Sequence, residues 1–181
     1  LLSGKFLVLH RILSSIRRYT QDRVIIVSNF TSTLNLLQRY CVRQKFPFLR
    51  LDGRTKADVR SKMVNEFNSD SGSDHLGKQP FVFLLSSKSG GVGLNLIGAN
   101  RLVLFDSDWN PATDRQAMAR IHRDGQLKPC FIYRLLLVGS MDEKIYQRQI
   151  TKIGLSDSLM SNEAAKDHDV ASSSDTFSQE E

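Results

Sequence analysis

Short apolar runs alternate along this chain with segments whose apolar residues recur at helical spacing. Arg23-Val24-Ile25-Ile26-Val27, Phe48-Leu49-Arg50-Leu51, Phe81-Val82-Phe83-Leu84-Leu85, Leu102-Val103-Leu104-Phe105 and the stretch from Cys130 to Val138 read as buried strands. Five helices are predicted around and between them. The first is capped by Ser3 and carries a stripe at Leu9, Ile12, Leu13 and Ile16. The second is marked by Leu34, Leu37 and Cys41 and is closed off by Pro47. Thr55 and Asp58 form a capping box for the third, buried through Val59, Met63 and Phe67. Asp114 to Arg123 reads as the fourth, and Ser140 with Glu143 opens a fifth that runs to about Lys152. Residues 69–80 read as an exposed loop. This alternation, with short connections, predicts an α/β fold: a mainly parallel sheet with helices on both faces. Ligands of such sheets sit at the carboxyl ends of the strands. Four polar turns fall there: Ser28–Thr31, Asp52–Thr55, Ser86–Gly93 and Asp106–Pro111.

Composition narrows the class. With 181 residues, 40% of them hydrophobic, the chain suits one well-buried domain, expected over residues 1–154. From Leu155 onward, seven acids against Lys166 leave a balance of −6. The formal net charge is +6, so the preceding residues carry +12. The serine-rich acidic segment 155–181 lacks the apolar content to fold and is expected to be disordered. A basic globular body points to a polyanionic partner, most often nucleic acid, although a basic surface also serves solubility. Cys41 and Cys130 lack metal-site spacing, which favours a reducing compartment over a disulfide framework, and four scattered histidines argue against zinc. No apolar run approaches the roughly 20 residues that span a bilayer, so no membrane association is expected, and no signal peptide opens the chain. A start at Leu1-Leu2 rather than Met suggests a piece of a longer protein.

The candidate chemistry concentrates between Phe81 and Gln126. Glycines at Gly90, Gly91 and Gly93 follow a strand and permit a tight turn with close backbone approach, as many purely structural turns also do. The dinucleotide fingerprint fails because Leu96 stands where its third glycine belongs. A phosphate-binding P-loop is absent too: the pairs Gly4-Lys5 and Gly77-Lys78 are followed by Phe and Gln rather than Ser or Thr. On the predicted fourth helix, Gln116, Arg120 and Arg123 stand at i, i+4 and i+7, which puts them on one stripe. Such a stripe is either a solvated face or, with the glycine turn, a grip on phosphates from two sides. Lys88 and Arg54 lie in turns at the binding edge and suit backbone phosphates. Trp109, between Asp108 and Asn110, is either a packing anchor or a wedge against nucleic acid. Asp142-Glu143-Lys144 is better explained by a helix start than by a magnesium site.

The ordered series Ser86-Ser87-Lys88-Ser89-Gly90-Gly91-Val92-Gly93-Leu94-Asn95-Leu96, Asp106-Ser107-Asp108-Trp109-Asn110-Pro111 and Gln116-Ala117-Met118-Ala119-Arg120-Ile121-His122-Arg123-Asp124-Gly125-Gln126 closely resembles motifs V and VI of SWI/SNF-type, superfamily-two DNA translocases. Leu51-Asp52-Gly53-Arg54-Thr55 resembles a DNA-touching loop of the same lobe, and Val24 to Phe30 resembles motif IV. The resemblance runs from about Ser3 to Lys152. Arg123–Gln126, Ile132–Leu135 and Lys144–Gln149 look most like the recombination-repair branch, whereas His122 is more like the chromatin-remodelling branches.

What the resemblance implies is the second of two RecA-like lobes in a nuclear, ATP-dependent translocase on double-stranded DNA. The P-loop lysine and the magnesium-binding acids belong to the first lobe of the same parent chain, so ATP with Mg2+ would be held mainly there and no metal ligand is expected here. Arg120 and Arg123 match the family's arginine fingers, with Gln116, Gly91 and Gly93 on the nucleotide. Ser28, Asn29, Gly53, Arg54, Thr55, Lys56, Ser87, Lys88, Ser89, Trp109 and Asn110 would hold one DNA strand's phosphates. The further partner would be a recombinase filament or chromatin. Two other classes compete: a passive DNA-binding module, which needs no arginine pair, and a doubly wound enzyme for a sugar nucleotide or dinucleotide, which the failed fingerprint disfavours.

Overall fold

The computed structural model describes residues 3–69, 79–90 and 93–155. Helix α1 (Gly4–Tyr19) leads into strand β1 (Val24–Ser28), α2 (Thr31–Gln44), β2 (Phe48–Leu51), α3 (Ala57–Asn68) and β3 (Val82–Ser86). A single 3₁₀ turn (Ser87–Gly90) follows, then β4 (Arg101–Leu104), α4 (Pro111–Met118) and β5 (Phe131–Arg134). A last helix, α5, occupies residues 141–155. Among the described residues the strands form one sheet in the order β2-β3-β1-β4-β5, and every neighbouring pair is parallel.

The pleat divides the core into two. Val24 and Ile26 of β1, with Val82, Leu84 and Val103 beside them, pack under Leu9, Leu13 and Ile16 of α1 and Leu34, Leu37 and Cys41 of α2. Ile25 and Val27, with Phe83, Leu85, Leu102 and Leu104, turn to the other face and meet Phe67 of α3 and Ala117 of α4. All five positions of β1 and of β3 are buried, which is why these strands read as continuous apolar runs rather than as alternation. Each buried Leu, Ile or Val contributes about 1.5–3 kcal/mol relative to an exposed one. The α/β architecture with helices on both faces is therefore the expected one.

Several local expectations are corrected. The Thr55–Asp58 capping box does not form: the Thr55 hydroxyl accepts the Asp52 N–H at 3.2 Å, and Lys56 stands at the helix N-cap without a side-chain cap. Of the three residues expected to bury α3, Phe67 is buried, Met63 is half-buried and Val59 is exposed; Val64 packs instead. Ser3 does precede α1, yet its side chain makes no capping bond. The final strand is shorter than Cys130 to Val138. At α5 the Ser140 hydroxyl accepts the Asp142 N–H at 3.2 Å, while Glu143 reaches the N–H of Gly139 at 2.7 Å, one residue earlier than in a standard capping box.

The largest correction concerns the fourth helix. It begins at Pro111, not Asp114, and ends at Met118. Asn110 caps it by accepting the Ala112 N–H at 3.1 Å, with Pro111 in the first turn. Arg120 and Arg123 lie beyond it, in a run of turns, so Gln116, Arg120 and Arg123 do not share a helical stripe. The chain leaves the helix because Ile121 is drawn into the core and the Arg120 carbonyl is taken by the Leu96 N–H at 3.1 Å. Gly125, at φ 95°, then turns the backbone in a conformation that suits glycine. The predicted loop (in part) and the acidic segment lie outside the described residues, which exclude 70–78 and 156–181.

Candidate nucleotide and nucleic-acid interface

The four polar turns do cap the carboxyl ends of the parallel strands. Ser28 ends β1, and its hydroxyl donates to Asp106 Oδ2 at 2.5 Å while accepting the Phe30 N–H at 3.2 Å. The Asn29 N–H donates to Asp106 Oδ1 at 2.7 Å. One carboxylate just past β4 thus closes the turn after β1. Burial pushes the Asp106 carboxyl above its ordinary range, and the Ser28 and Asn29 donors together with Lys5 oppose that shift without cancelling it. Lys5 holds Asp142 at 2.5 Å and donates to the Phe105 carbonyl, so α1, β4 and α5 meet beside this junction. Asp142 is accordingly a helix-start residue in an ion pair. The Ser28 hydroxyl is committed to shaping the turn.

Two further turns are joined side by side. In Asp52–Lys56, the Asp52 carboxylate accepts the Arg54 N–H at 3.0 Å and pairs with Arg50 at 2.9 Å. Arg50 is itself held by Asn35 and Gln38 of α2. Partial burial raises the Asp52 carboxyl, but the Arg54 N–H and the Arg50 guanidinium outweigh it and leave the group below its usual range. Gly53 backs onto Ser89: a Cβ there would meet the Ser89 hydroxyl at 3.8 Å. Arg60 of α3 donates to the Thr55 carbonyl and to the Ser89 carbonyl, both at 3.3 Å, and so spans the two turns. Sequence reasoning overlooked Arg60, whose only signal was an arginine four residues after Lys56. Arg54, Lys56 and Lys88 are exposed on the same edge, whereas Ser89 is buried. The Ser87 and Ser107 hydroxyls are buried without a hydrogen-bond partner, at the ends of β3 and β4.

Trp109 and Asn110 form the fourth turn. The Trp109 ring is half exposed, with the Arg148 guanidinium of α5 over it at 5.7 Å. Beneath it lies a buried polar network. Asp114 of α4 accepts from Arg134 of β5 at 2.9 Å and from the Gln149 amide of α5 at 3.0 Å. That amide also donates to the Asp108 carbonyl at 2.5 Å, and its oxygen accepts from Arg134 at 2.7 Å. Asp114 and Gln149 are nearly inaccessible, so removing one member strands the others at a cost of about 3–5 kcal/mol.

The arginine pair sits where the segment after α4 runs beside the chain at 93–96. Arg123 is exposed and donates to the Gly93 carbonyl at 2.9 Å. Gly93 is at φ 23° and faces the Arg123 guanidinium, which a Cβ would meet at 3.9 Å. Arg120 is buried, and burial followed by the positive charge of Arg123 lowers its pKa. Two guanidiniums near enough to repel each other, one of them on the Gly93 turn, are suited to an anion. Gln116 is exposed on α4, and Gly91 lies outside the described residues. The structure does not join Gln116 to the arginines as one stripe, and it brings Gly93 to Arg123 directly. Gln126 fastens the same segment from below through its amide, bonded to the carbonyls of Ile97, Ala99 and Ile121. A cavity of about 740 Å³ opens at the opposite, amino-terminal edge beside Arg23, Asn100 and Lys128, where no predicted site residue falls. Among the described residues no group of His, Cys, Asp and Glu could hold a metal ion, and no helix is long and apolar enough to cross a membrane.

Comparison with known proteins identifies the family. Residues 4–125 match the family model described as helicase conserved C-terminal domain. The chain is 56% identical over 154 residues to Protein CHROMATIN REMODELING 25 of Arabidopsis thaliana, covering 85% of this chain and 16% of that protein. It is 54% identical over 162 residues to human DNA repair and recombination protein RAD54-like, covering 90% of this chain and 21% of that protein. The chain thus spans about a fifth or less of these relatives. Among solved structures, the C-terminal part of the Fun30 ATPase domain superposes with a TM-score of 0.74 at 39% identity, over 81% of this chain and 45% of that one. The chain belongs to the helicase conserved C-terminal domain family, as a RecA-like lobe of the SWI/SNF type.

Proposed function

We propose that this chain is the second motor lobe of an ATP-dependent translocase on double-stranded DNA, acting in homologous recombination and DNA repair in the nucleus. The observation that carries the reading is the Arg120–Arg123 pair, with Arg123 bonded to the Gly93 carbonyl in the segment after β3. The guanidiniums fit an anionic ligand, because a negative charge between them relieves their repulsion. ATP with Mg2+, when bound, supplies the transferable phosphoryl group. Arg123 and Arg120 bring fixed positive charge toward it, and arginine suits the task because its planar fork binds two phosphate oxygens at once. Gln116 and the backbone at Gly91 and Gly93 line the nucleotide. The magnesium ligands and the P-loop lysine come from a first lobe of the same parent chain.

The DNA grip follows from the same edge. The turns at Ser28–Asn29, Gly53–Lys56, Ser87–Ser89 and Trp109–Asn110 meet one strand's phosphates, with the exposed Arg54, Lys56 and Lys88 supplying the charge. Opening and closing of the cleft between lobes then steps the protein along the duplex. A chromatin-remodelling role is the second reading, supported by the 56% identity to Protein CHROMATIN REMODELING 25; a recombinase filament or chromatin is the corresponding partner.

ATP turnover by the full-length parent, with and without duplex DNA, tests the proposal. The parent should hydrolyse ATP faster with duplex, and the purified 181-residue chain should hydrolyse none. Turnover by the contaminant-free chain, or a parent indifferent to DNA, would overturn the motor-lobe reading.

A further inference from the structure

Helix α5 supplies no residue to the nucleotide or DNA sets, yet it holds the Trp109–Asn110 turn from two sides. From below, the Gln149 side chain is 2% exposed and uses its whole amide. Its nitrogen donates to the Asp108 carbonyl and to Asp114, and its oxygen accepts from Arg134. From outside, Arg148, one residue earlier, lies over the Trp109 ring. Asp108 also accepts the Asn110 N–H at 2.8 Å, so the turn is closed immediately above the point that Gln149 grips. Asp114 lies one turn into the helix that Asn110 caps, which fixes both ends of the turn to the same network.

We propose that Gln149 is a positioning residue: it latches α5 to the Trp109–Asn110 turn and so sets the aim of Trp109 toward DNA. The inference rests on the reading of that turn as a DNA contact. A glutamine suits the position because only a neutral amide can donate to a carbonyl and a carboxylate while accepting from a guanidinium. A glutamate would set its charge against Asp114, and an aliphatic side chain would take this donor from the half-buried Asp108 carbonyl. An aromatic ring held in one orientation also loses less entropy when a nucleic acid arrives.

The chain contains one tryptophan, so its fluorescence and its single indole N–H resonance report on this turn alone. In the wild-type chain the Trp109 indole should be as rigid by ¹⁵N relaxation as the amides of β1. Gln149→Met keeps length and burial but removes all three hydrogen bonds. It should raise acrylamide quenching of Trp109 by roughly two-fold or more and loosen the indole on the fast timescale that relaxation reads. Duplex affinity per folded molecule should fall about 5-fold, the loss expected for one disordered contact. Arg148→Met, at an exposed position, should raise quenching by less. A wild-type indole clearly more mobile than the β1 amides would sink the latch even if Gln149→Met failed to fold. So would unchanged Trp109 quenching in a folded Gln149→Met chain. The DNA reading is judged separately: if saturating duplex leaves wild-type Trp109 fluorescence unchanged, the turn is not a DNA contact, and Gln149 then positions a turn with another use. If duplex quenches Trp109 equally in wild type and Gln149→Met, the contact stands and the positioning role falls.

Discussion

Arg123 and Arg120 differ in a way that decides which of them is the cleaner probe. Arg120 is buried, so its replacement would mix stability with function. Arg123 is exposed and makes its bond to the Gly93 carbonyl. A charged hydrogen bond of that kind contributes about 1.5–3 kcal/mol at most, and less at an exposed position. Arg123→Ala in the full-length parent should therefore lower the melting temperature by no more than a few degrees. If the guanidinium stabilises charge on the transferring phosphoryl group, turnover should fall on the order of 10³-fold, the lower end for arginine fingers. Arg123→Lys should rescue poorly, because an ammonium keeps the charge and loses the fork. The competing role is structural, with Arg123 bracing the Gly93 turn. That role predicts a large fall in melting temperature with normal turnover per folded molecule, and paired melts and ATPase assays on one preparation separate the two.

At the scale of elements, the turns behave as small closed units whose stability is electrostatic. The Asp52 turn is the clearest. Its carboxyl lies below the ordinary range despite partial burial, because Arg54 N–H and Arg50 favour the ionised form. A depressed carboxyl contributes stability that is fully present above its unfolded pKa, about 3.9, and is lost as pH falls through the lower folded value. Wild type should then melt above Asp52→Asn at pH 7, with the gap closing as pH drops below about 4. A gap that stays constant from pH 7 to pH 3 would assign the effect to shape rather than charge. This turn also explains what the sequence could and could not disclose. Strands β1 and β3 were legible because both faces are buried and every position before the closing serine is apolar. The capping box was misread because the Thr55 hydroxyl had a competing donor three residues earlier, in Asp52. The end of α4 was illegible for a different reason. Ala119 and Arg120 are good helix formers, and only tertiary pulls on Ile121 and on the Arg120 carbonyl stop the helix at Met118. The candidate site was legible as a set of turns at one sheet edge. Its internal wiring through Asp106, Arg60 and Gln149 was not, since those partners lie dozens of residues away in sequence.

For the whole molecule the governing feature is an uneven charge. The residues before Leu155 carry +12, and the segment from Leu155 onward carries −6. Arg54, Lys56 and Lys88 are exposed at the carboxyl edge of the sheet, where DNA phosphates are proposed to lie. If the acidic segment reaches that edge, its covalent attachment gives it a high effective concentration there and sets it against any polyanion. Removing residues after Leu155 should therefore tighten duplex binding, by about 3- to 10-fold at low salt. The advantage should shrink as salt rises, since screening weakens the intramolecular competitor as well as the DNA. A second variant, with the seven acids replaced by their amides at unchanged length, separates charge from bulk. If charge is the cause, it should reproduce the truncation. Equal affinities for wild type, truncated chain and amide variant, measured by fluorescence anisotropy at several salt concentrations, would mean that the acidic segment does not share the DNA-facing edge. Tightening by truncation alone would point to steric blocking.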